Sequence, residues 1–195
     1  MLRNAVLLLL SVITFTFTAS CSDDDNRHYD SGTAEAFRAM KNSYEGRLSM
    51  PDNTVSTLGW AVADDNSGQS VVTNLTVADF PTEYLISAVW PHDYTHATVT
   101  SADAFTAPID SLGNQEVVLN FKTDYDRTPQ LKFAFTLNGE SHSGWARISA
   151  EGQYFISTHL MMLTFTVRDL VIDNTDYSFL TPITISVEGE PKNSK

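Results

Sequence analysis

The sequence predicts an all-β domain, mainly antiparallel, built as a barrel or a two-sheet sandwich and preceded by one short N-terminal helix. Three observations carry that expectation. From Tyr44 to Val187 the chain breaks into short alternating apolar runs, separated by clusters of Asp, Asn, Ser, Gly and Pro. That is the pattern of half-buried strands joined by turns. No long run has the helical spacing that a parallel βαβ sheet requires between its strands. Asn138-Gly139 stands between two alternating runs, where a type I′ hairpin turn needs positive φ at both central residues. No internal period repeats, which sets propellers and solenoids aside.

Thr33 is placed to cap a helix over 34–42, with Phe37 and Met40 on one face. A helix of two or three turns must take its stability from packing on the sheet. Tyr44 to Met50 is extended, and Pro51-Asp52-Asn53 is a turn. Leu58 to Val62 and Ser70 to Val77 read as strands joined by Asp64-Asp-Asn-Ser-Gly68. Pro81 marks a break or an edge, after which Tyr84 to Trp90 reads as a buried strand. Ala97 to Ser101 is short and Thr-rich. In Glu116 to Thr123, Val117, Leu119 and Phe121 share one face.

The hairpin around Asn138-Gly139 fixes a register. Leu131, Phe133, Phe135 and Leu137 alternate with Lys132, Ala134 and Thr136. A two-residue loop sets Phe135 opposite His142 and Lys132 opposite Trp145, so Trp145 and Arg147 fall on the polar face. Glu151-Gly152 is expected to turn the chain. Gln153 to Ile172 exceeds an ordinary strand of roughly 3–10 residues and is expected to bend at Ser157-Thr158-His159. Beyond the bend, Met161, Leu163, Phe165 and Val167 point inward. Leu and Met leave a helix open here, while the threonines and β-branched residues favour strand. Asp173-Asn174-Thr-Asp176 turns the chain, Pro182 breaks it, and Ile183, Ile185 and Val187 line one side of a last strand.

The chain thus divides into a leader (1–20), an acidic tether (21–32), one β domain (33–190) and a polar tail (191–195). In the leader, Arg3 precedes an apolar run of about a dozen residues, short of the ~20 that a spanning helix needs. The run ends in Thr18-Ala19-Ser20-Cys21. This ending resembles the lipobox of bacterial lipoprotein signal peptides, which are cut before the cysteine and carry a diacylglycerol on its sulfur. The resemblance implies lipidation at Cys21 and a membrane contact through that covalent lipid, with no other cofactor. Cys21 is the only cysteine, so it has no intrachain disulfide to form. Acyl chains give ~0.8 kcal/mol per buried CH₂, and stable anchoring takes more than one chain. An ordinary secretory peptide cut near Ala19 would instead leave a free thiol.

Ser22-Asp23-Asp24-Asp25 resembles the export signal that carries Bacteroidetes-type lipoproteins to the outer face of the outer membrane. A polar spacer is the other reading. A leader, a short helix and a strand-only domain of this size resemble the uncharacterised calycin-like (lipocalin-type) lipoproteins of Bacteroidetes. That likeness implies a barrel of about eight strands whose interior holds a small apolar molecule.

The net charge is −12, from 12 basic and 24 acidic residues, and no basic run is interleaved with aromatics. Nucleic acid is therefore not an expected partner, since phosphate binding rests on Lys and Arg. The most unusual loop is Trp90-Pro-His92-Asp-Tyr94-Thr-His96. His92 and His96 are the candidates for a metal, although zinc takes three or four ligands. Asp64-Asp65-Asn66 and Asp173-Asn174-Asp176 offer calcium-type oxygens without the full spacing of a calcium loop. Among the aromatics, Trp145, Tyr94 and Trp90 are the candidates for ligand contact, Trp145 and Tyr94 because register and loop position set them near solvent. His142, opposite Phe135, reads as a core histidine. No nucleophile elbow, phosphate-cradling glycine loop or HExxH motif is present, so no catalytic residue is assigned and no enzyme is expected. The expectation is a lipid-anchored cell-envelope domain binding a small apolar molecule or a glycan. The alternatives are an accessory subunit of an outer-membrane protein assembly and, third, an enzyme without a readable motif.

Overall fold

The Asn138-Gly139 turn sets the register of the longest strands in the molecule. In the computed structural model, which describes residues 31–68, 70–177 and 182–192, both turn residues have positive φ, 52° and 85°. The turn joins β7 (Leu131–Leu137) to β8 (Glu140–Phe155), pairing Phe135 with His142 and Lys132 with Trp145 as the alternation predicts. Cys21, the leader before it and the tether as far as residue 30 lie outside the described residues.

The remaining strands are β1 (Ser43–Ser49), β2 (Val55–Asp65), β3 (Val72–Val77), β4 (Thr98–Ala102), β5 (Phe105–Gln115), β6 (Val118–Thr123), β9 (Met161–Ile172), β10 (Thr175–Asp176) and β11 (Ile183–Pro191). Neighbours run β9-β11-β1-β2-β3-β5-β6-β8, and β8 returns to β9, closing an antiparallel barrel of eight strands. The sandwich alternative is thereby excluded. Along one edge, β8 pairs first with β7 and then with β6, so β7 and β4 extend the sheet beyond one end of the ring.

Two helices close the ends, where the sequence predicts one. Helix α1 (Ser31–Met40) starts earlier than expected, and Thr33 is no cap. Its buried hydroxyl accepts a hydrogen bond from Asn114 Nδ2 at 2.9 Å, while Ala36 and Met40 enter the core. Helix α2 (Glu83–Val89) replaces the strand expected over Tyr84 to Trp90. A short apolar run fits either period. What decides it is Glu83 in the first turn and the gathering of buried Leu85 and Ile86 with partly buried Val89 on one side. Tyr84 donates its hydroxyl to the Ser49 carbonyl at the far end of β1. Tyr44, at the near end of β1, donates to the Met40 carbonyl at 2.8 Å. The helices therefore sit at opposite ends.

Between them the interior is filled. Tyr44 stacks on Trp60 with centroids 5.7 Å apart, and the Trp60 indole N–H points at Met161 Sδ, 3.2 Å away. Phe80 and Phe105 each meet Phe165 edge to face at 5.5 Å. Large rings are matched by small partners, the way a narrow barrel packs its bore. A Cβ on Gly189 would stand 2.3 Å from Trp60, and one on Gly152 only 2.1 Å from Phe121. Gly152 therefore serves close approach within β8, and the turn expected at Glu151-Gly152 does not occur. The apolar bore implied by the calycin likeness is occupied by the protein's own side chains.

Candidate functional site

Three clusters combine aromatic and charged groups, and they lie at the two ends and on the outer wall. At the α2 end, Trp90 half-covers the inner side of the β7–β8 hairpin. Its ring lies 5.7 Å from Phe135, 5.4 Å from His142 and 6.3 Å from Tyr177. His142 stacks on Phe135 at 5.0 Å, and its Nδ1 lies 2.6 Å from Asp173 Oδ2. Asp173 Oδ1 accepts the Ser143 backbone N–H at 3.0 Å. The His142 contact and that backbone bond hold the Asp173 carboxyl below its usual range. The dyad ties the β9–β10 turn to the hairpin. His142 is a core-edge histidine with a fixed partner, as the sequence suggests.

Tyr94, in the one-turn 3₁₀ helix Tyr94–His96 that follows α2, is partly exposed. Its ring packs on the core cluster and its hydroxyl is buried, with no hydrogen-bond partner among the described residues. His92 and His96 are exposed on the outside of this lid. Among the described residues no group of three or more His, Cys, Asp or Glu is able to hold a metal ion. The acidic turns are used internally: Asp64 pairs with Lys41 at 2.7 Å and accepts from Thr73 Oγ1 at 2.6 Å, and Asp65 accepts the Ser67 N–H.

At the α1 end a groove of about 500 Å³ runs past Asn42, Thr158, His159 and Glu190. The Tyr154 hydroxyl and His159 Nδ1 lie 2.6 Å apart beneath it. Tyr154 itself is fully buried, and burial raises its phenol above the ordinary range. No nucleophile joins this pair in any contact described, so it fixes the β8–β9 turn.

The third cluster differs because its groups face outward and are held in place. Trp145 and Arg147 lie on the outer face of β8, Trp145 flanked by Lys132 and Val171 and Arg147 facing Asp169. Strand β9 inserts an extra residue here, since Arg147 pairs with Asp169 and Ile148 with Val167. Such a bulge breaks the alternation, so Arg168 and Asp169 both point out between buried Val167 and Leu170. Arg147, Arg168 and Asp169 meet Tyr125 in the β6–β7 loop. Tyr125 donates its hydroxyl to Asp169 Oδ2 at 2.8 Å. The Arg147 and Arg168 guanidinium carbons lie 5.4 and 5.7 Å from its ring centre, within cation–π range. Burial, then the Asp169 bond, raises the Tyr125 phenol above its ordinary value, so it stays a donor. Beside the ring a groove of about 330 Å³ is lined by Lys122, Tyr125, Ser149, Glu151 and Arg168. That is at the lower end of ligand-site volumes, roughly 300–1,000 Å³.

Of the three aromatics singled out from sequence, Trp145 belongs to this wall, Trp90 to the lid over His142, and Tyr94 to the lid's packing. The structure does not bring them together. The sequence reading does not single out Tyr125, Arg168 and Asp169 as site residues. The signal for two of them is in the sequence: Val167-Arg168-Asp169-Leu170 puts two polar residues where strict alternation allows one. No protein-family model, curated protein or solved structure matches the chain.

Proposed function

We propose that this is a lipid-anchored cell-envelope binding domain, tethered through Cys21 at the outer membrane and facing outward, whose ligand is a glycan. It docks on the outer wall around Trp145 and Tyr125. One observation carries the choice of wall over bore: inward positions are filled to contact, while the half-buried rings of Trp145 and Tyr125 and the two arginines over Tyr125 stand outside. Sugars offer hydroxyls to carboxylates and guanidiniums and apolar C–H faces to aromatic rings, and this wall carries all three kinds of partner. The reading is non-catalytic.

Two experiments test it. Labelled palmitate is expected to enter the wild-type chain in a bacterial host and to be lost with Cys21→Ser. Incorporation equal in both would remove the anchor. In affinity electrophoresis through gels cast with envelope and capsular polysaccharides, the soluble domain is expected to be retarded, with Trp145→Ala retarded less. Migration unchanged in every gel would remove the glycan.

A second reading, an accessory subunit, draws on β4. Among the described residues its outer edge pairs with no strand, and a groove of about 420 Å³ runs beside it past Leu58, Phe80 and Val99. Open strand edges accept an extended segment from a partner. Photo-crosslinking from Thr100 in intact cells would yield a discrete outer-membrane adduct under that reading and none under the first.

A further inference from the structure

The cations of the outer wall are not equally engaged. Lys122 bonds Glu151 at 2.8 Å. Arg127 holds Asp124 and lies 3.6 Å from Asp110. Arg147 reaches Asp169 at 3.9 Å. Arg168 is exposed and, among the described residues, forms no ion pair, its recorded contact being the face of Tyr125. Arg38, Arg47 and Lys132 likewise form no ion pair among the described residues, and what sets Arg168 apart is its place against an aromatic ring on the rim of a groove. Arg168 continues the outward series of Thr164 and Thr166, the β9 bulge sets Asp169 out beside it, and the neighbouring groove adds the Lys122 ammonium and the Ser149 side chain.

We propose that this groove is an anion subsite for the carboxylate of an acidic sugar, a uronic acid residue within the glycan. The assignment rests on the glycan reading and deepens it. The Arg168 guanidinium carbon lies over the Tyr125 ring, and its planar fork matches a carboxylate with two parallel N–H···O bonds. Glu151 lines the same groove, so a singly charged carboxylate suits it better than a doubly charged phosphate. The polar neighbours Ser149, Glu151 and Asp169 accept sugar hydroxyls, and Trp145, on the same face of β8 as Arg147, offers a flat ring further along the wall.

Calorimetric titration of the soluble domain with oligogalacturonate and with the neutral galactose oligomer of equal length tests the assignment. Wild type is expected to bind the acidic oligomer at least about tenfold more tightly, the scale of a charge-assisted hydrogen bond. That preference should shrink as salt is raised. Arg168→Gln should abolish the preference, weakening the acidic oligomer at least about tenfold and the neutral one far less, with little change in the unfolding midpoint, and Arg168→Lys should restore part of it. Equal binding of both oligomers by wild type, or a preference that survives Arg168→Gln, overturns the anion subsite and leaves the glycan reading standing. Binding of neither oligomer overturns the subsite, while retardation in the polysaccharide gels separately decides the glycan reading.

Discussion

On the inner face of β8 and β9, Ala146, Ile148, Ala150 and Tyr154 meet Leu163, Phe165 and Val167, each almost wholly removed from water. One residue along, Trp145, Arg147, Arg168 and Asp169 stand half-buried or exposed on the outer face of the same strands. The inner face is fitted to contact, so a ligand could enter only by displacing side chains worth about 1.5–3 kcal/mol each. The outer face has rings and charges positioned by neighbours that a ligand need not disturb. The difference teaches that a barrel outline does not by itself imply a ligand in the bore. Which face is available is decided by whether the inward positions leave room.

The largest effects are therefore expected inside. Phe165→Ala removes the ring that Phe80 and Phe105 both meet and should cost about 3–5 kcal/mol in urea unfolding. A loss under 1 kcal/mol would mean that the bore is loosely filled. Gly152→Ala puts a methyl against the Phe121 ring and should cost about 1–3 kcal/mol through overpacking, measured the same way. A neutral result would open the interior to ligand again.

Tyr44→Phe is a smaller change with a pH signature. It leaves the buried Met40 carbonyl without its donor and should cost about 1–3 kcal/mol near neutral pH. Burial raises the folded Tyr44 phenol far above its unfolded value. Its contribution is thus fully present below the unfolded pKa of about 10 and is lost as pH rises above it. Between pH 10 and 11.5 the wild type should lose stability faster than Tyr44→Phe, narrowing the gap between them. Parallel curves would show the phenol to be solvated.

Much of this was legible beforehand. The hairpin register follows from Asn138-Gly139 and a strict alternation, because a slip of one residue would have turned Phe133 and Phe135 into water. The bend before Met161 and the inward set Met161, Leu163, Phe165 and Val167 follow for the same reason. Strand β5 escaped notice because Pro108, Gly113 and Asn114 dilute its pattern. Helix α2 departs from the strand expectation because seven residues with Leu85, Ile86 and Val89 among them carry no decisive period, and the barrel end supplies what decides it. The outer-wall site was half legible. Register gives Trp145 and Arg147 their face, but Tyr125 reaches Arg147 from a loop, and no local pattern announces where a loop's ring will rest.

On the outside, stability should hardly respond. Arg168→Gln exchanges an exposed guanidinium for an amide and loses one exposed cation–π contact, so it should shift unfolding by no more than about 0.5 kcal/mol. A cost comparable to Gly152→Ala would mean that the wall holds the barrel together and is not free for a ligand.

The most direct test of wall against bore is a two-dimensional NMR titration of the isotope-labelled soluble domain with oligogalacturonate. The Trp145 indole N–H and the backbone amides of Tyr125, Arg147 and Arg168 should shift with added ligand, while the Trp60 indole N–H stays where it is. Movement of the Trp60 signal with a silent Trp145 would place the ligand inside the barrel and contradict the account.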